Sequence, residues 1–248
     1  MNYALLCPGQ GSQFVGMGKE FYEKYSLVKD IFSRADEALG FSLSEIILNG
    51  PITKINLTEN TQPSIFVISY SIFSVMKKEF DIDLNKANYF AGHSLGEYSA
   101  LACANGIDFE DAIRLLNKRG KSMQSAVPPG EGLMLAILGM DINEIEKILN
   151  ENTKFENCQI ANDNCPKQTV VSGRASAINE LSKFLKQHSI KSIILPVSAP
   201  FHCFMMKQST EIMTKHINET NFKNPNPKII SNVTASAQND TKEIKKLL

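Results

Sequence analysis

Residues 92–96 carry the clearest chemical signal in the sequence, a Gly-x-Ser-x-Gly pattern centred on Ser94. The apolar run before it (residues 88–91) predicts a buried strand, and the alanine-rich run after it (residues 95–106) predicts a buried helix. A strand that turns directly into a helix holds the serine on a strained turn, and its hydroxyl is exposed where backbone N–H groups can stabilise an oxyanion. We therefore expect Ser94 to be a nucleophile. The alternative is an ordinary strand-to-helix turn that contains a serine.

A general base for this serine would be a histidine, and the chain has four histidines. His93 adjoins Ser94, but its side chain should project to the other side of the turn. His188, at the end of a predicted helix, and His216, on a helix face rich in lysine and glutamate, are expected to be solvated. His202 therefore remains as the base for Ser94, and a packed or capping histidine is the alternative.

A glycine-rich turn, Pro8-Gly-Gln-Gly-Ser-Gln13, follows an apolar run (residues 3–7) that predicts the first strand. A strand, a glycine-rich turn and a helix could form a dinucleotide site, but that pattern needs a third glycine where Phe14 stands. The favoured interpretation is that the two glycines let the backbone approach a reacting centre. The N–H of Gln10 would then point into that centre and stabilise an oxyanion.

Arg119 lies on the inward face of a predicted helix that starts at Asp108, four residues after Leu115 and three after Leu116. A buried guanidinium without an anionic partner is unfavourable. The partner could be a structural Asp or Glu, which the spacing alone slightly favours. It could instead be a substrate carboxylate held by two parallel hydrogen bonds.

The order of elements predicts an α/β protein with a subdomain at residues 131–196, inserted in a larger domain of residues 1–130 and 197–248. The subdomain is expected to have the order β-α-β-β-α-β, which is typical of a ferredoxin-like unit. Asn162 is placed in the turn after the second of its strands, as a turn former or a cleft contact. In the larger domain, a buried helix is expected to have Pro63 in its first turn.

The composition is that of a globular protein of 248 residues, with 43% hydrophobic residues and 26 basic against 26 acidic residues. This balance argues against binding to nucleic acid or to an anionic membrane, and no apolar run is long enough to span a bilayer. Five widely spread cysteines without a C-x-x-C pair, and an N-terminus without a leader pattern, predict a cytoplasmic protein with reduced thiols. No cluster of metal ligands is found in the sequence.

Five segments occur in the order found in the malonyl-CoA:acyl carrier protein transacylase family, and the chain resembles that family over essentially its whole length. The related acyltransferase domains of polyketide and fatty acid synthases share this resemblance. The segments are Pro8-Gly-Gln-Gly-Ser-Gln13, Gly92-His-Ser-Leu-Gly-Glu97, Lys118-Arg-Gly-Lys121, Ala161-Asn-Asp-Asn164 and Ala199-Pro-Phe-His202. The resemblance implies that Ser94 is the nucleophile and His202 its general base.

The same resemblance implies that the backbone N–H groups of Gln10 and Leu95 form an oxyanion hole, that Arg119 binds the free malonyl carboxylate and that Asn162 contacts the substrate. It implies an α/β-hydrolase-like domain that carries the ferredoxin-like subdomain. The implied reaction transfers malonyl from malonyl-CoA to the phosphopantetheine thiol of acyl carrier protein through a malonyl-serine intermediate, without a metal or redox cofactor. Malonyl-CoA and acyl carrier protein are therefore the expected partners.

Two other functions remain open. A serine hydrolase of the α/β-hydrolase type would use water as the acceptor and would need an acid between Ser94 and the histidine in chain order. A non-catalytic module would bind an acyl group or a carrier protein. Members of the family usually continue beyond residue 248, through a glutamine that orients the catalytic histidine, so the chain is expected to be C-terminally truncated.

Overall fold

The computed structural model describes residues 3–248, so Met1 and Asn2, which begin the first predicted domain, lie outside the described residues. The chain divides into two compact units. The first contains the residues up to Lys121 together with Met213–Leu248, and the second is Ser122–Ile212. The subdomain expected from the sequence, residues 131–196, falls inside the second unit, which also contains residues 122–130 and 197–212.

Strands and helices follow each other along the chain in a mixed α/β order. The strands are β1 (Ala4–Cys7), β2 (Tyr89–Gly92), β3 (Gly132–Leu138), β4 (Cys158–Cys165), β5 (Gln168–Arg174), β6 (Lys191–Ile194), β7 (Lys228–Ile230) and β8 (Ala237–Gln238). The α-helices are α1 (Lys19–Lys24), α2 (Ser26–Leu39), α3 (Leu43–Asn49), α4 (Ile52–Ile55), α5 (Thr58–Glu79), α6 (Gly96–Cys103), α7 (Phe109–Ser125), α8 (Ile142–Glu151), α9 (Ala175–Gln187), α10 (Lys207–Glu219) and α11 (Thr241–Leu247). Within residues 3–248, no helix is both long and apolar enough to cross a membrane.

The first unit is built on a sheet with the strand order β1-β2-β7-β8. β1, β2 and β7 are parallel, with Leu6 opposite Ala91 and Ala91 opposite Ile230, whereas β8 runs antiparallel to β7. The predicted α/β class with a parallel sheet is confirmed. Because carboxyl ends of parallel strands lie at one edge of a sheet, the loops after β1, β2 and β7 share the edge where open α/β sheets bind ligands.

The core of the first unit packs around the central part of this sheet. Phe90 of β2 is fully buried, and so are Phe32 of α2, Phe66 of α5 and Ile113 of α7. Every residue of α6 is buried, as the alanine-rich sequence of this helix predicted. The turn between β2 and α6 is therefore held between two elements that are themselves fixed by the core.

Helix α5 begins at Thr58, so the prediction that Pro63 lies in its first turn is wrong. Proline has no N–H to donate to the carbonyl of Glu59, one turn earlier in the helix. The side-chain amide of Asn117 donates to that carbonyl at 2.9 Å, and this bond allows the helix to continue through the proline. It also ties α7 to α5 two residues before Arg119.

The second unit contains an antiparallel sheet with the strand order β4-β5-β3-β6. Helix α8 connects β3 to β4, and α9 connects β5 to β6. Leu135 and Ile137 of β3 and Val171 of β5 form a buried cluster with Ile178 and Leu181 of α9. This unit therefore has an apolar core of its own.

The prediction that Asn162 lies in a turn is wrong. Strand β4 continues to Cys165, and Asn162 is paired with Val170 of β5, next to a shift of register after Ile160. The reversal is made at residues 166–167, where Lys167 has a φ of 67°. The polar residues stay in the strand because β4 is an edge strand, whose side chains can face solvent.

Candidate functional site

The turn after β2 has the geometry expected for a nucleophile at the start of a helix. β2 ends at Gly92 and α6 begins at Gly96, so only three residues separate the strand from the helix. A Cβ on Gly92 would lie 2.0 Å from the carbonyl carbon and oxygen of Gly96, so no larger residue fits. Ser94 has a φ of 52°, in the left-handed region that non-glycine residues seldom adopt. The strand–turn–helix context predicted for Ser94 is confirmed.

The hydroxyl of Ser94 contacts the guanidinium of Arg119. Nη2 of Arg119 donates to Oγ of Ser94 at 3.1 Å, and Nη1 donates to Oε1 of Gln62, on α5, at 2.8 Å. The guanidinium carbon also lies 5.8 Å from the centroid of the Tyr98 ring. Arg119 thus faces the interior, as its helical position predicted, and it lies beside the candidate nucleophile although 25 residues separate them.

The charge of Arg119 is partly desolvated. Burial lowers the pKa of its guanidinium, whereas Tyr98 and Glu97 act in the opposite direction. A desolvated guanidinium that already reaches the serine hydroxyl is suited to bind a second anionic group close to that hydroxyl. The arrangement can therefore select an acyl group that carries a carboxylate.

The loop after β1 packs against the turn that carries Ser94. A Cβ on Gly9 would lie 2.5 Å from Nδ1 of His93, so this close approach requires a glycine. The side chain of Gln10 donates to Oγ1 of Thr58 at 3.4 Å. Within residues 3–248, the backbone N–H groups of Gln10 and Leu95 have no hydrogen-bond acceptor. Both groups are therefore available to a ligand.

Two polar residues near Ser94 were missed by the sequence reasoning, Glu97 and Asn232. Glu97 is buried, and burial raises its pKa to about 7, while the hydrogen bond from the backbone N–H of Asn232 and the charge of Arg119 lower it. Asn232 lies directly after Ser231, in the loop that follows β7. A polar residue after a parallel strand was a signal that could have pointed to Asn232, because such loops share one edge of the sheet.

His202 and Asn162 belong to the second unit. His202 has a φ of 58° and lies between the buried residues Phe201 and Cys203, just before a short 3-10 helix, Phe204–Met206, and α10. Its surroundings are held by two hydrogen bonds: Sγ of Cys203 donates to the carbonyl of Pro200 at 3.2 Å, and the N–H of Phe204 donates to Oε1 of Gln159 at 2.8 Å. Asn162 lies on β4, as described above.

An apolar cavity of about 360 Å³ lies elsewhere in the first unit, between β1 and α5. Leu6, Phe14, Ile68 and Ile72 are among its lining residues, and Ser94 and Arg119 are not. Within residues 3–248, no group of three or more His, Cys, Asp or Glu side chains could hold a metal ion. The polar residues at the carboxyl edge of the sheet are therefore the candidate site of the first unit.

Comparisons with known proteins agree in pointing to one family. The family model described as acyl transferase domain matches residues 4–246. The chain is 40% identical over 247 residues to the malonyl CoA-acyl carrier protein transacylase of Bacillus subtilis (strain 168), which covers 99% of this chain and 77% of that protein.

Solved structures show the same similarity. The acyl-carrier-protein-S-malonyltransferase of Bartonella henselae matches with a TM-score of 0.94 and 38% identity, over 100% of this chain and 79% of that one. A malonyl-transacylase in complex with a type II PKS acyl-carrier protein also matches with a TM-score of 0.94, at 33% identity, over 100% of this chain and 79% of that one.

Proposed function

The chain belongs to the acyl transferase domain family, and from this premise we propose that it transfers a malonyl group from malonyl-CoA to the phosphopantetheine thiol of acyl carrier protein, for fatty acid or polyketide synthesis. The observation that carries the proposal is the hydrogen bond from Arg119 to Oγ of Ser94. It puts a cation next to a candidate nucleophile, which is what an acyl group ending in a carboxylate requires. The names of the similar transacylases support the same substrates.

In the first half-reaction, Oγ of Ser94 attacks the thioester carbonyl of malonyl-CoA and His202 takes the hydroxyl proton. The N–H groups of Gln10 and Leu95 donate to the oxyanion of the tetrahedral intermediate. The observation that supports these roles is that neither N–H group has an acceptor in the described chain. The carbon–sulfur bond then breaks, and CoA leaves as a thiol with the proton from His202. Malonyl remains as an ester on Ser94.

In the second half-reaction, the phosphopantetheine thiol of acyl carrier protein attacks this ester and His202 takes the thiol proton. The tetrahedral intermediate collapses with cleavage of the bond between the carbonyl carbon and Oγ of Ser94, Oγ takes the proton back from His202, and malonyl leaves as the thioester of the carrier. One thioester is exchanged for another of similar energy, so the proposed reaction requires no metal and no redox cofactor.

Arg119 supplies the selectivity of the proposed reaction. A malonyl carboxylate can accept from its guanidinium, whereas an acetyl group offers no such acceptor, and a site built around a buried donor rejects the substrate that leaves it unsatisfied. We assign Asn162 as a further substrate contact.

At the level of fold, we propose that the first unit is α/β-hydrolase-like and that residues 131–196 form a ferredoxin-like subdomain. The element order β-α-β-β-α-β and the strand order β4-β5-β3-β6 support the second assignment. We also propose a cytoplasmic location, where the cysteines, which are free thiols in the described chain, would stay reduced.

The test is a mass measurement of the intact protein after incubation with malonyl-CoA, and separately with acetyl-CoA. We expect a malonyl adduct on the wild-type chain that is absent from Ser94→Ala. When phosphopantetheinylated acyl carrier protein is added, the adduct should disappear from the chain and the carrier should become malonylated. Release of free malonate without transfer to the carrier would instead support a serine hydrolase. No adduct at all would support a non-catalytic binding module.

A further inference from the structure

Asn232 lies at the carboxyl edge of the parallel sheet, in the loop after β7. β7 pairs with β2, the strand that leads into the turn of Ser94, so this loop adjoins that turn. Although 138 residues separate Asn232 from Ser94, the two residues are joined by a hydrogen bond. Asn232 therefore belongs to the candidate site by its position in the fold and not by its position in the sequence.

Asn232 holds the turn on both sides of Ser94. Its Oδ1 accepts from the N–H of Ser94 at 2.7 Å, and its Nδ2 donates to the carbonyl of Gly92, also at 2.7 Å. Its own backbone N–H donates to Oε2 of Glu97 at 3.1 Å. One residue thus satisfies a donor and an acceptor of the turn and is itself anchored on α6, the helix that follows the turn.

The turn needs such support because its central residue is in an unfavourable conformation. The left-handed φ of Ser94, 52°, persists only where the surrounding structure holds it. The hydrogen bond to Asn232 also occupies the N–H of Ser94, so the N–H of Leu95 is left as the donor of this turn that can face an oxyanion.

We propose that Asn232 is a positioning residue for the acyl transfer: it fixes the turn so that Oγ of Ser94 and the N–H of Leu95 keep the directions that attack and oxyanion stabilisation require. This inference rests on the proposed function and adds a residue to it. Asn232 acts through Ser94, Gly92 and Glu97, the residues to which it is hydrogen-bonded. A displaced nucleophile loses rate more than it loses substrate affinity.

The test compares single-turnover malonylation of Ser94 in the wild-type chain, Asn232→Ala and Asn232→Asp. We expect Asn232→Ala to lower the acylation rate by about 100-fold while the malonyl-CoA concentration for half-maximal rate changes little. Asn232→Asp keeps an oxygen for the N–H of Ser94 but lacks the donor for Gly92, so its loss should be intermediate. Hydrogen exchange of the peptide covering residues 92–97 should be faster in Asn232→Ala.

The matched control is Asn85→Ala, which removes an asparagine of the same unit whose Nδ2 donates to the carbonyl of Asn226 at 3.2 Å. It should leave the acylation rate unchanged. The proposal is overturned if Asn232→Ala acylates at the wild-type rate. It is also overturned if Asn232→Ala and Asn232→Asp lose rate only in proportion to their loss of folded protein. If the wild-type chain takes no malonyl group, the proposed function is contradicted and the positioning role is judged from hydrogen exchange alone. In that case, an unchanged hydrogen-exchange rate at residues 92–97 in Asn232→Ala overturns the positioning role.

Discussion

Replacing Glu97 with glutamine should stabilise the protein increasingly as the pH rises. Glu97 is 6% exposed, and this burial raises its pKa from the ordinary value of 4.5 to about 7. The native protein therefore keeps this proton at pH values where the unfolded chain has lost it. Because the native state binds more protons over this range, the free energy of unfolding of the wild type should fall as the pH rises through it.

The size of the effect follows from the two pKa values. A pKa raised from 4.5 to about 7 corresponds to between about 3 and 4 kcal/mol, at about 1.4 kcal/mol for each pKa unit. About 2.5 kcal/mol of this falls between about pH 5 and pH 8.5, because the unfolded carboxyl is already mostly ionised at the lower limit. Glutamine does not titrate and keeps an oxygen for the N–H of Asn232, so the stability of Glu97→Gln relative to the wild type should grow by that amount.

Urea unfolding of both proteins, at a series of pH values across this range, measures the difference directly. Glu23→Gln is the matched control, since it makes the same change at an exposed position of the first unit. The difference between Glu97→Gln and the wild type should increase with pH and exceed that of the control. If the difference is constant to within about 0.5 kcal/mol, the carboxyl of Glu97 does not hold its proton in the native state and our reasoning is refuted.

Three further substitutions test the site. Arg119→Ala should keep serine acylation but lower the preference for malonyl-CoA over acetyl-CoA by about 10- to 100-fold in a competition read by intact mass, and an unchanged ratio would contradict the role of the guanidinium. His202→Ala should slow malonylation of Ser94 by about 10²- to 10⁴-fold in single-turnover assays. The control is His188→Ala, which changes an exposed histidine and should leave the rate unchanged. Equal rates in the two variants would exclude His202 as the base. Gly92→Ala should lower the free energy of unfolding by about 3 kcal/mol in urea titrations, because its Cβ would overlap the carbonyl of Gly96, and wild-type stability would show that the turn tolerates a side chain.

Local patterns in the chain were sufficient to predict the elements that surround Ser94. The short apolar run, the small residues at both ends of the turn and the alanine-rich helix all act on neighbouring residues, and the structure confirms this context. The inward position of Arg119 also followed from helical spacing. Two local predictions were wrong. Pro63 lies inside a helix because a side chain from α7 replaces the hydrogen bond that the proline cannot make. Asn162 lies in a strand because an edge strand tolerates polar residues.

The contacts that join these elements were decided only by the tertiary structure. The sequence left open whether Arg119 meets a structural carboxylate or a substrate, and it did not point to Gln62, Ser94 and Tyr98 as its neighbours. The position of Asn232 after a strand marked it as a candidate, but nothing in its local sequence showed that it bonds to Ser94 rather than to solvent. Periodicity and turn chemistry act over a few residues, whereas a hydrogen bond across 138 residues depends on which strands pair and which helices pack.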